Sequence, residues 1–153
     1  MKFISDSMLG KLARWLRLMG HDVLYKRDFD DDEVISSAKG RVILTRDREL
    51  FERAKKEGHS AQLLRSTDVK GQLMQLKEEV NLQLQDTPRV SRCPLCNREL
   101  ERIEKEKVRG KVPPKVLQNS EFWFCSDCQK IYWEGGHWKD IREMVRYVQN
   151  TKR

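Results

Sequence analysis

Four cysteines are the residues whose type and spacing point most directly to chemistry. They form two CxxC pairs, Cys93–Cys96 and Cys125–Cys128, with 28 residues between them. A structural zinc ion takes four thiolates at about 2.3 Å in tetrahedral geometry, and each CxxC offers two sulfurs from one short knuckle. Strands predicted within Arg98–Lys107 and Glu121–Phe124 would bring the two knuckles together. We therefore predict one structural zinc ion, bound by Cys93, Cys96, Cys125 and Cys128.

The four cysteines allow two other interpretations. Two disulfides would use the same four residues, but disulfides are typical of secreted proteins, and the sequence shows no secretion signal. His137 is a possible substitute ligand, although four cysteines already complete a tetrahedral site. A site with four cysteine ligands has no open position, so we expect this zinc ion to be structural rather than catalytic.

A second group of candidate residues consists of acids that follow predicted strands. Asp6 comes directly after the first strand, Asp47 stands two residues after Thr45, and Asp68 stands four residues after Leu64. In a parallel sheet, ligands bind beyond the carboxyl ends of the strands. Several carboxylates gathered there would hold a hard divalent cation such as Mg²⁺ or Mn²⁺. Such an ion can activate water for attack on a phosphodiester.

The same acids also fit a simpler role as helix caps. Aspartate is a favoured N-cap, worth about 1 kcal/mol, and each of these acids precedes a predicted helix. In the run Asp30–Glu33, Asp31 or Asp32 is placed to cap the helix that follows. That run holds more acids than one cap needs, which favours a metal site. Basic residues also border the acids, as expected where a phosphate backbone is held: Lys11, Arg14, Arg46 and Arg48.

Alternating strands and helices set the expected fold. The predicted strands are Lys2–Ser5, Val23–Tyr25, Arg41–Thr45 and Ala61–Leu64. The predicted helices are Leu9–Met19, Glu33–Ala38, Asp47–Glu57 and Gly71–Leu84. This order indicates an α/β fold with a parallel sheet and helices on both faces. No glycine-rich phosphate loop follows the first strand, which argues against a Rossmann or P-loop nucleotide site.

Charge divides the chain into two parts. The net charge is +7, with +1 on residues 1–88 and +6 on residues 89–153. We predict a nuclease-like domain over 1–86, a linker at Gln85–Pro88, and a basic zinc ribbon with a terminal helix over 89–153. A basic surface suits a polyanion such as RNA, although it also serves solubility alone.

The composition argues against a membrane protein. Charged residues make up 36% of the chain, and no apolar run approaches the ~20 residues of a membrane span. An acid at Asp6 interrupts the amino-terminal segment too early for a signal peptide. We therefore expect a cytoplasmic protein.

Several segments together resemble the Mut-seven C-terminal domain family, a group of PIN-like ribonucleases with an appended zinc ribbon. The resemblance covers roughly residues 2–148. It is carried by Ser5–Arg17, Asp31–Ile35, Arg41–Asp47, the two CxxC pairs and Ile131–Trp138.

The resemblance implies a set of functional residues. Asp6, Asp31 and Asp47 occupy the family's metal-binding positions. Asp31 is preferred to Asp32 because it stands two residues before an acid and three before an aliphatic residue, as in the family. A fourth acid is less regular, so Asp32 and Asp68 are possible additional acids only. Together with Lys11, Arg14 and Arg46 as substrate-binding residues, this predicts a metal-dependent ribonuclease.

The aromatic residues of the basic part allow two roles. These residues are Phe122, Trp123, Phe124, Tyr132, Trp133 and Trp138. They can stack on single-stranded bases, worth ~1–3 kcal/mol per base, or pack between the ribbon and the first part. The alternation of Phe122 and Phe124 favours packing.

Two other functions remain open from the sequence. The first is a non-catalytic RNA- or ribosome-binding adaptor with a structural zinc, in which the acids are caps. The second is a toxin-type nuclease. The sequence gives no indication of the RNA target, the endo- or exonuclease mode, or the oligomeric state.

Overall fold

The computed structural model describes residues 1–87, 91–118 and 121–151, and for 136 and 137 it describes the backbone alone. Pro88 of the predicted linker and the side chain of His137 lie outside these limits. The chain forms a four-stranded sheet, a three-stranded sheet and flanking helices. The predicted α/β fold with a parallel sheet is therefore confirmed.

The larger sheet is parallel throughout. Its strands are β1 (Lys2–Ser5), β2 (Asp22–Leu24), β3 (Val42–Thr45) and β4 (Ala61–Leu63). They lie in the order β2-β1-β3-β4, and every neighbouring pair is parallel. Apolar runs long enough for one buried strand explain β1 and β3, whose bounds the sequence predicts to within one residue.

Helices cover both faces of this sheet. They are α1 (Gly10–Leu18), α2 (Asp31–Ser36), α3 (Arg48–Lys56) and α4 (Val69–Val80), and a 3-10 turn over Ser7–Leu9 precedes α1. Phe3 and Leu44 pack with α1 and α4 in one buried cluster. Ile4 and Ile43 pack with α2 and α3 in another. Successive residues of a strand point to opposite faces, which is why adjacent residues enter different cores.

Two helix predictions needed correction. α2 begins at Asp31 and its N-cap is Asp30, whose side chain accepts from the N–H of Glu33, so neither Asp31 nor Asp32 is the cap. α4 was predicted over Gly71–Leu84 but ends at Val80. Asn81 takes a left-handed conformation with φ 53° and stops the helix there. The leucine spacing beyond it reflects an extended segment that still buries Leu82.

The second sheet is small and antiparallel. It contains β5 (Glu101–Ile103), β6 (Phe122–Cys125) and β7 (Lys130–Trp133), in that order. The strand predicted within Arg98–Lys107 is wrong beyond Ile103, since α5 (Lys105–Val108) follows at once and a 3-10 turn covers Pro114–Gln118. The turn of helix buries Val108 against Phe122 in a separate core.

The terminal helix, α6 (Gly136–Asn150), joins the core of the larger sheet. Its apolar stripe, Trp138, Ile141, Val145 and Val148, is buried in the cluster that includes α1 and α4. Lys77 of α4 also donates to the carbonyls of Val148 and Gln149, at 2.9 and 2.8 Å. The last helix therefore ties the ribbon end of the chain to the parallel sheet.

Three of the six aromatic residues are buried. Phe122 lies in the ribbon core, Trp138 lies in the core of the larger sheet, and Trp123 is 5% exposed. The remaining three, Phe124, Tyr132 and Trp133, are half-buried. Packing thus accounts for the burial of Phe122, Trp123 and Trp138.

Across the described part of the chain, no helix is both long enough and apolar enough to cross a membrane.

Candidate active site and cysteine cluster

Acids gather where the parallel strands end. Asp6 follows β1, Asp47 follows β3, and Asp68 lies in the loop after β4, at the start of α4. Asp31 opens α2, after the loop that leaves β2. Since all four strands point the same way, their carboxyl ends lie at one edge of the sheet, which we call the acid edge. It comprises Asp6, Asp31, Asp47 and Asp68.

Asp6 is the most buried of these acids, with 7% of its surface exposed. One carboxylate oxygen accepts from the N–H of Met8 at 3.0 Å, and the other accepts from the Thr45 hydroxyl. Burial raises the pKa of Asp6, the two hydrogen bonds lower it, and the charges of Asp31 and Asp47 raise it again. The net result is a raised pKa, so negative charge at this position is costly unless a cation offsets it.

Thr45 connects two of the acids and was not identified from the sequence. It is fully buried at the end of β3, and its hydroxyl donates to Asp6. The same hydroxyl oxygen accepts from the N–H of Asp47 at 3.0 Å. The side chain therefore fixes the orientation of Asp6 relative to the start of α3. The signal for it was a hydroxyl residue on the last position of a buried strand.

Asp47 and Asp68 both cap helices. Asp47 accepts from the N–H groups of Glu49 and Leu50 at 2.8 and 3.4 Å, both through one oxygen. Asp68 accepts from the N–H of Gly71 at 2.7 Å. Asp6 does the same for the short 3-10 turn. Capping was therefore a correct interpretation of these three acids, and it engages only one carboxylate oxygen of Asp47.

The two neighbours Asp31 and Asp32 behave differently. Asp32 forms an exposed ion pair with Arg53 of α3 at 2.8 Å. Asp31 is exposed, and its charge acts on Asp6. Since Asp30 supplies the cap of α2, Asp31 is not needed for that purpose.

The carboxylates of the acid edge do not form a tight group of three in the described residues. Within the described ranges, the cysteines are the only group of three or more His, Cys, Asp or Glu ligand atoms lying within 4.8 Å of one another. Three exposed cations, Lys11 and Arg14 on α1 and Arg46 before Asp47, have no ion-pair partner among these residues. The edge thus combines separated acids with free positive charges.

The cysteines form a compact cluster. All four Sγ atoms lie within 4.8 Å of one another, with Cys93 to Cys128 at 3.8 Å and Cys96 to Cys125 at 3.4 Å. All four are free thiols rather than disulfides. This donor set fits a tetrahedral metal ion such as zinc.

The two knuckles share one local geometry. The N–H of Asn97 donates to the carbonyl of Cys93 at 2.8 Å, and the N–H of Gln129 does the same to Cys125 at 2.8 Å. Asn97 and Gln129, each directly after a CxxC pair, take positive φ angles of 77° and 56°. The same tight turn therefore places each pair of sulfurs on one side of its loop.

The environment of Cys93 favours the thiolate. Burial alone would raise the pKa of this thiol, but hydrogen bonds from the Tyr132 hydroxyl and from the backbone N–H groups of Leu95 and Cys96 lower it to about 7. The Tyr132 oxygen lies 3.3 Å from Sγ. The thiolate is the form that binds metals, so this environment prepares Cys93 as a ligand.

Arg17 joins the first knuckle to the parallel sheet. This side chain is 4% exposed. Its Nε and Nη2 donate to the carbonyl of Val23 in β2 at 3.0 and 2.8 Å, and its Nη1 donates to the carbonyl of Pro94 at 3.0 Å. A buried guanidinium therefore spans the two parts of the chain.

Asn97 completes this junction. Its Oδ1 accepts from the N–H of Val23 at 2.9 Å, and its Nδ2 donates to Asp22 at 2.7 Å. Asp22 also pairs with Arg41 at 2.7 Å. Burial alone would raise the pKa of Asp22, but the hydrogen bonds from Arg41 and Asn97 hold it below its usual value. The knuckle thus covers the free edge of β2.

Residues 1–145 match the family model described as the Mut7-C RNAse domain. The matched stretch runs from β1 into α6 and includes the acid edge and all four cysteines. No curated protein and no solved structure matches the chain. The family match agrees with the resemblance found in the sequence.

Proposed function

Since the chain belongs to the Mut7-C RNAse domain family, we propose that it is a metal-dependent ribonuclease that hydrolyses RNA phosphodiesters. In this proposal the nuclease domain is 1–86, and the basic ribbon with its terminal helix, 89–153, holds RNA. Its free cysteines fit a reducing compartment, so the proposed location is the cytoplasm.

The observation that carries the proposal is the environment of Asp6. Its carboxylate is buried, and both burial and the charges of Asp31 and Asp47 oppose its ionisation. A Mg²⁺ or Mn²⁺ ion bound between these three acids would offset that repulsion. When bound, such an ion supplies an activated water and stabilises the leaving oxygen. The hydroxyl of Thr45 keeps the carboxylate of Asp6 oriented.

Lys11, Arg14 and Arg46 are the proposed phosphate-binding residues. They are exposed and lack acidic partners in the described part of the chain, so their charges are available to a polyanion. Asp32 and Asp68 remain predicted as additional acids of the divalent-metal site. Asp32 pairs with Arg53, and Asp68 caps α4.

The ribbon offers its own basic groove, with a volume of about 890 Å³. Three lysines line it, Lys107, Lys111 and Lys130, together with the half-buried rings of Phe124 and Trp133. Cations beside partly exposed aromatic faces suit single-stranded RNA. This groove supports the RNA-holding role, and the cysteine cluster supports a structural zinc in the ribbon.

A second candidate function is an RNA-binding adaptor without catalysis. It is favoured by the capping contacts of Asp6, Asp47 and Asp68 and by the absence of a tight carboxylate cluster in the described ranges. In that case the acids stabilise helix starts and need no divalent ion.

RNA cleavage with and without Mn²⁺ separates the two functions. We expect Asp6→Asn to lower the rate by about 100-fold or more, because the variant loses a metal ligand while keeping nearly the same shape. Asp140→Asn, an exposed acid on α6, is the matched control and should cleave like the wild type. Thermal melts establish that both variants are folded. Wild-type cleavage by folded Asp6→Asn would refute the catalytic role of Asp6, and a folded wild type that binds RNA without Mn²⁺-dependent cleavage would support the adaptor function.

A further inference from the structure

We propose that a cleft between α1 and the first cysteine knuckle binds a single-stranded segment of the RNA, next to the acid edge. This inference rests on the proposed function, because it specifies where the substrate of that activity lies. We call the feature the interface cleft. It has a volume of about 510 Å³ and is lined by Gly10, Lys11, Arg14, Arg17, Tyr25, Arg27, Pro94 and Leu95.

The charge of the interface cleft selects a polyanion. Lys11, Arg14 and Arg27 are exposed, and no ion pair engages any of them within the residues that the structure describes. No acid is among the lining residues. Three uncompensated cations on one small cleft are a phosphate-binding surface.

The apolar wall of the cleft distinguishes RNA from a simple anion. Leu95, in the first knuckle, is 48% exposed and lines the cleft together with the three cations. Tyr25 also lines the cleft, and its hydroxyl donates to the carbonyl of Ser7 at 3.2 Å. Apolar surface next to cations suits an unstacked base with its phosphate, as in single-stranded nucleic acid grooves.

The wall that the knuckle contributes is held in place. Arg17 donates to Pro94, the residue before Leu95, while also holding the carbonyl of Val23. Asn97 binds the N–H of the same strand residue. The position of Leu95 relative to α1 is therefore fixed by buried contacts, so the cleft exists before RNA arrives.

The interface cleft and the acid edge are neighbours through Lys11. Asp6 and Gly10 are joined by the 3-10 turn, and Gly10 lines the cleft. Lys11 lines both the cleft and a second cavity of about 170 Å³ that also contacts Asp68. Lys11 therefore lies between the Asp68 end of the acid edge and the interface cleft, where it can contact RNA bound to both.

The test is a binding assay with the full chain and a labelled single-stranded RNA, with no divalent ion added. Arg27→Glu should weaken binding by about tenfold and reduce the salt slope by about one or more, because a phosphate contact is lost. Lys39→Glu is the control. It makes the same charge change at an exposed site before β3, away from the cleft, and should change affinity by less than about twofold.

A second variant tests the apolar wall. Leu95→Ser should weaken binding by a few-fold with an unchanged salt slope, because it removes base contact and no charge. Melting curves and zinc content of each variant show that the fold is intact. Equal affinities for Arg27→Glu and Lys39→Glu would overturn the proposal. Binding of polyglutamate that Arg27→Glu abolishes, while RNA binding by that variant is unchanged, would also overturn it, in favour of an acidic protein segment.

The outcomes are separable from those of the proposed function. If Asp6→Asn abolishes cleavage while Arg27→Glu binds RNA normally, the interface cleft is refuted and the ribonuclease stands. If Asp6→Asn cleaves fully while Arg27→Glu loses binding selectively, the cleft stands and the catalytic assignment fails.

Discussion

The cysteine cluster and the acid edge are both sets of potential metal ligands, but they are built in opposite ways. The cysteines come from two local turns of the same shape, and their sulfurs lie within 4.8 Å of one another. The acids follow separate strands of a parallel sheet, and no three of their carboxylates lie within 4.8 Å of one another in the described residues. Local turns can assemble a closed site by themselves, whereas the acid edge depends on the whole sheet.

The two regions also differ in what else their ligands do. The thiol of Cys93 contacts other thiols and the Tyr132 hydroxyl. Asp6, Asp47 and Asp68 each cap a helix or turn. The cysteines are therefore dedicated to one role, while the acids combine stability with their proposed chemistry. Cysteine variants should therefore lose zinc and the ribbon fold, whereas variants of the acids should change cleavage and the stability of helix starts.

Zinc removal should have the largest effect. Protein purified without added metal should contain about one zinc per chain, and Cys96→Ser should lose most of it. Structural zinc contributes about 10–16 kcal/mol of binding energy that is also folding energy, so chelation should unfold β5–β7. Hydrogen exchange should show loss of protection there and retained protection in β1 and β3. Metal-free protein with a protected ribbon would contradict this account.

Loss of the contact between the first cysteine knuckle and the parallel sheet should have the next largest effect on stability. Arg17→Met removes three hydrogen bonds, two of them buried, and leaves the carbonyls of Val23 and Pro94 without this partner, which should cost about 3 kcal/mol of unfolding free energy. Arg14→Met, at an exposed position on the same helix, should change it by less than about 0.5 kcal/mol. Urea denaturation measures both values. Equal stabilities would show that the knuckle does not depend on Arg17.

Thr45 tests the internal order of the acid edge. Thr45→Val leaves the N–H of Asp47 and one oxygen of Asp6 without their partner, at a cost of about 1–3 kcal/mol. Thr45→Ser keeps the hydroxyl and should restore most of the stability and the cleavage rate. The comparison is made by thermal melts and RNA cleavage. If Thr45→Val and Thr45→Ser have the same melting temperature and the same cleavage rate, Thr45 does not position Asp6.

The smallest expected effect is the pH dependence of stability that His21 causes through its contact with Gln83. His21 is buried, and its Nε2 contacts the carbonyl of Gln83 at 2.7 Å. Burial lowers its pKa below the ordinary 6.5, so the unfolded chain takes up the proton first. Stability should be unaffected above about pH 6.5 and should fall below it. The Tm drop between pH 7.5 and 5.5 should be smaller in His21→Gln, and an equal drop would exclude His21 as its source.

Local patterns predicted much of this structure. Buried apolar runs located β1 and β3, and the cysteine spacing located both knuckles. Errors arose where a local signal had two meanings. Leu84 continues a helical spacing although the helix ends at Val80, and Leu82 is buried outside any helix. The strand predicted over Arg98–Lys107 ends at Ile103, and the helix that follows buries Val108 in the ribbon core.

Long-range contacts explain what the sequence did not indicate. The hydroxyl of Thr45 donates to Asp6, which lies 39 positions earlier in the chain. The side-chain amide of Asn97 donates to Asp22, 75 positions away. Neither residue type is unusual at its position, so only the folded sheet identifies the partner. Likewise, only the hydrogen bond from the N–H of Glu33 to Asp30 shows that Asp30, and not Asp31 or Asp32, caps α2.

The most direct test of the central claim compares two adjacent acids. Asp30 caps α2, whereas Asp31 is the proposed metal ligand, so Asp30→Asn and Asp31→Asn remove the same charge one residue apart. The measurement is the Mn²⁺-dependent rate of RNA cleavage. We predict a fall of about 100-fold or more for Asp31→Asn, and a change within about threefold for Asp30→Asn, since asparagine is an equally good cap. Equal cleavage by the two folded variants would contradict a catalytic metal at the acid edge.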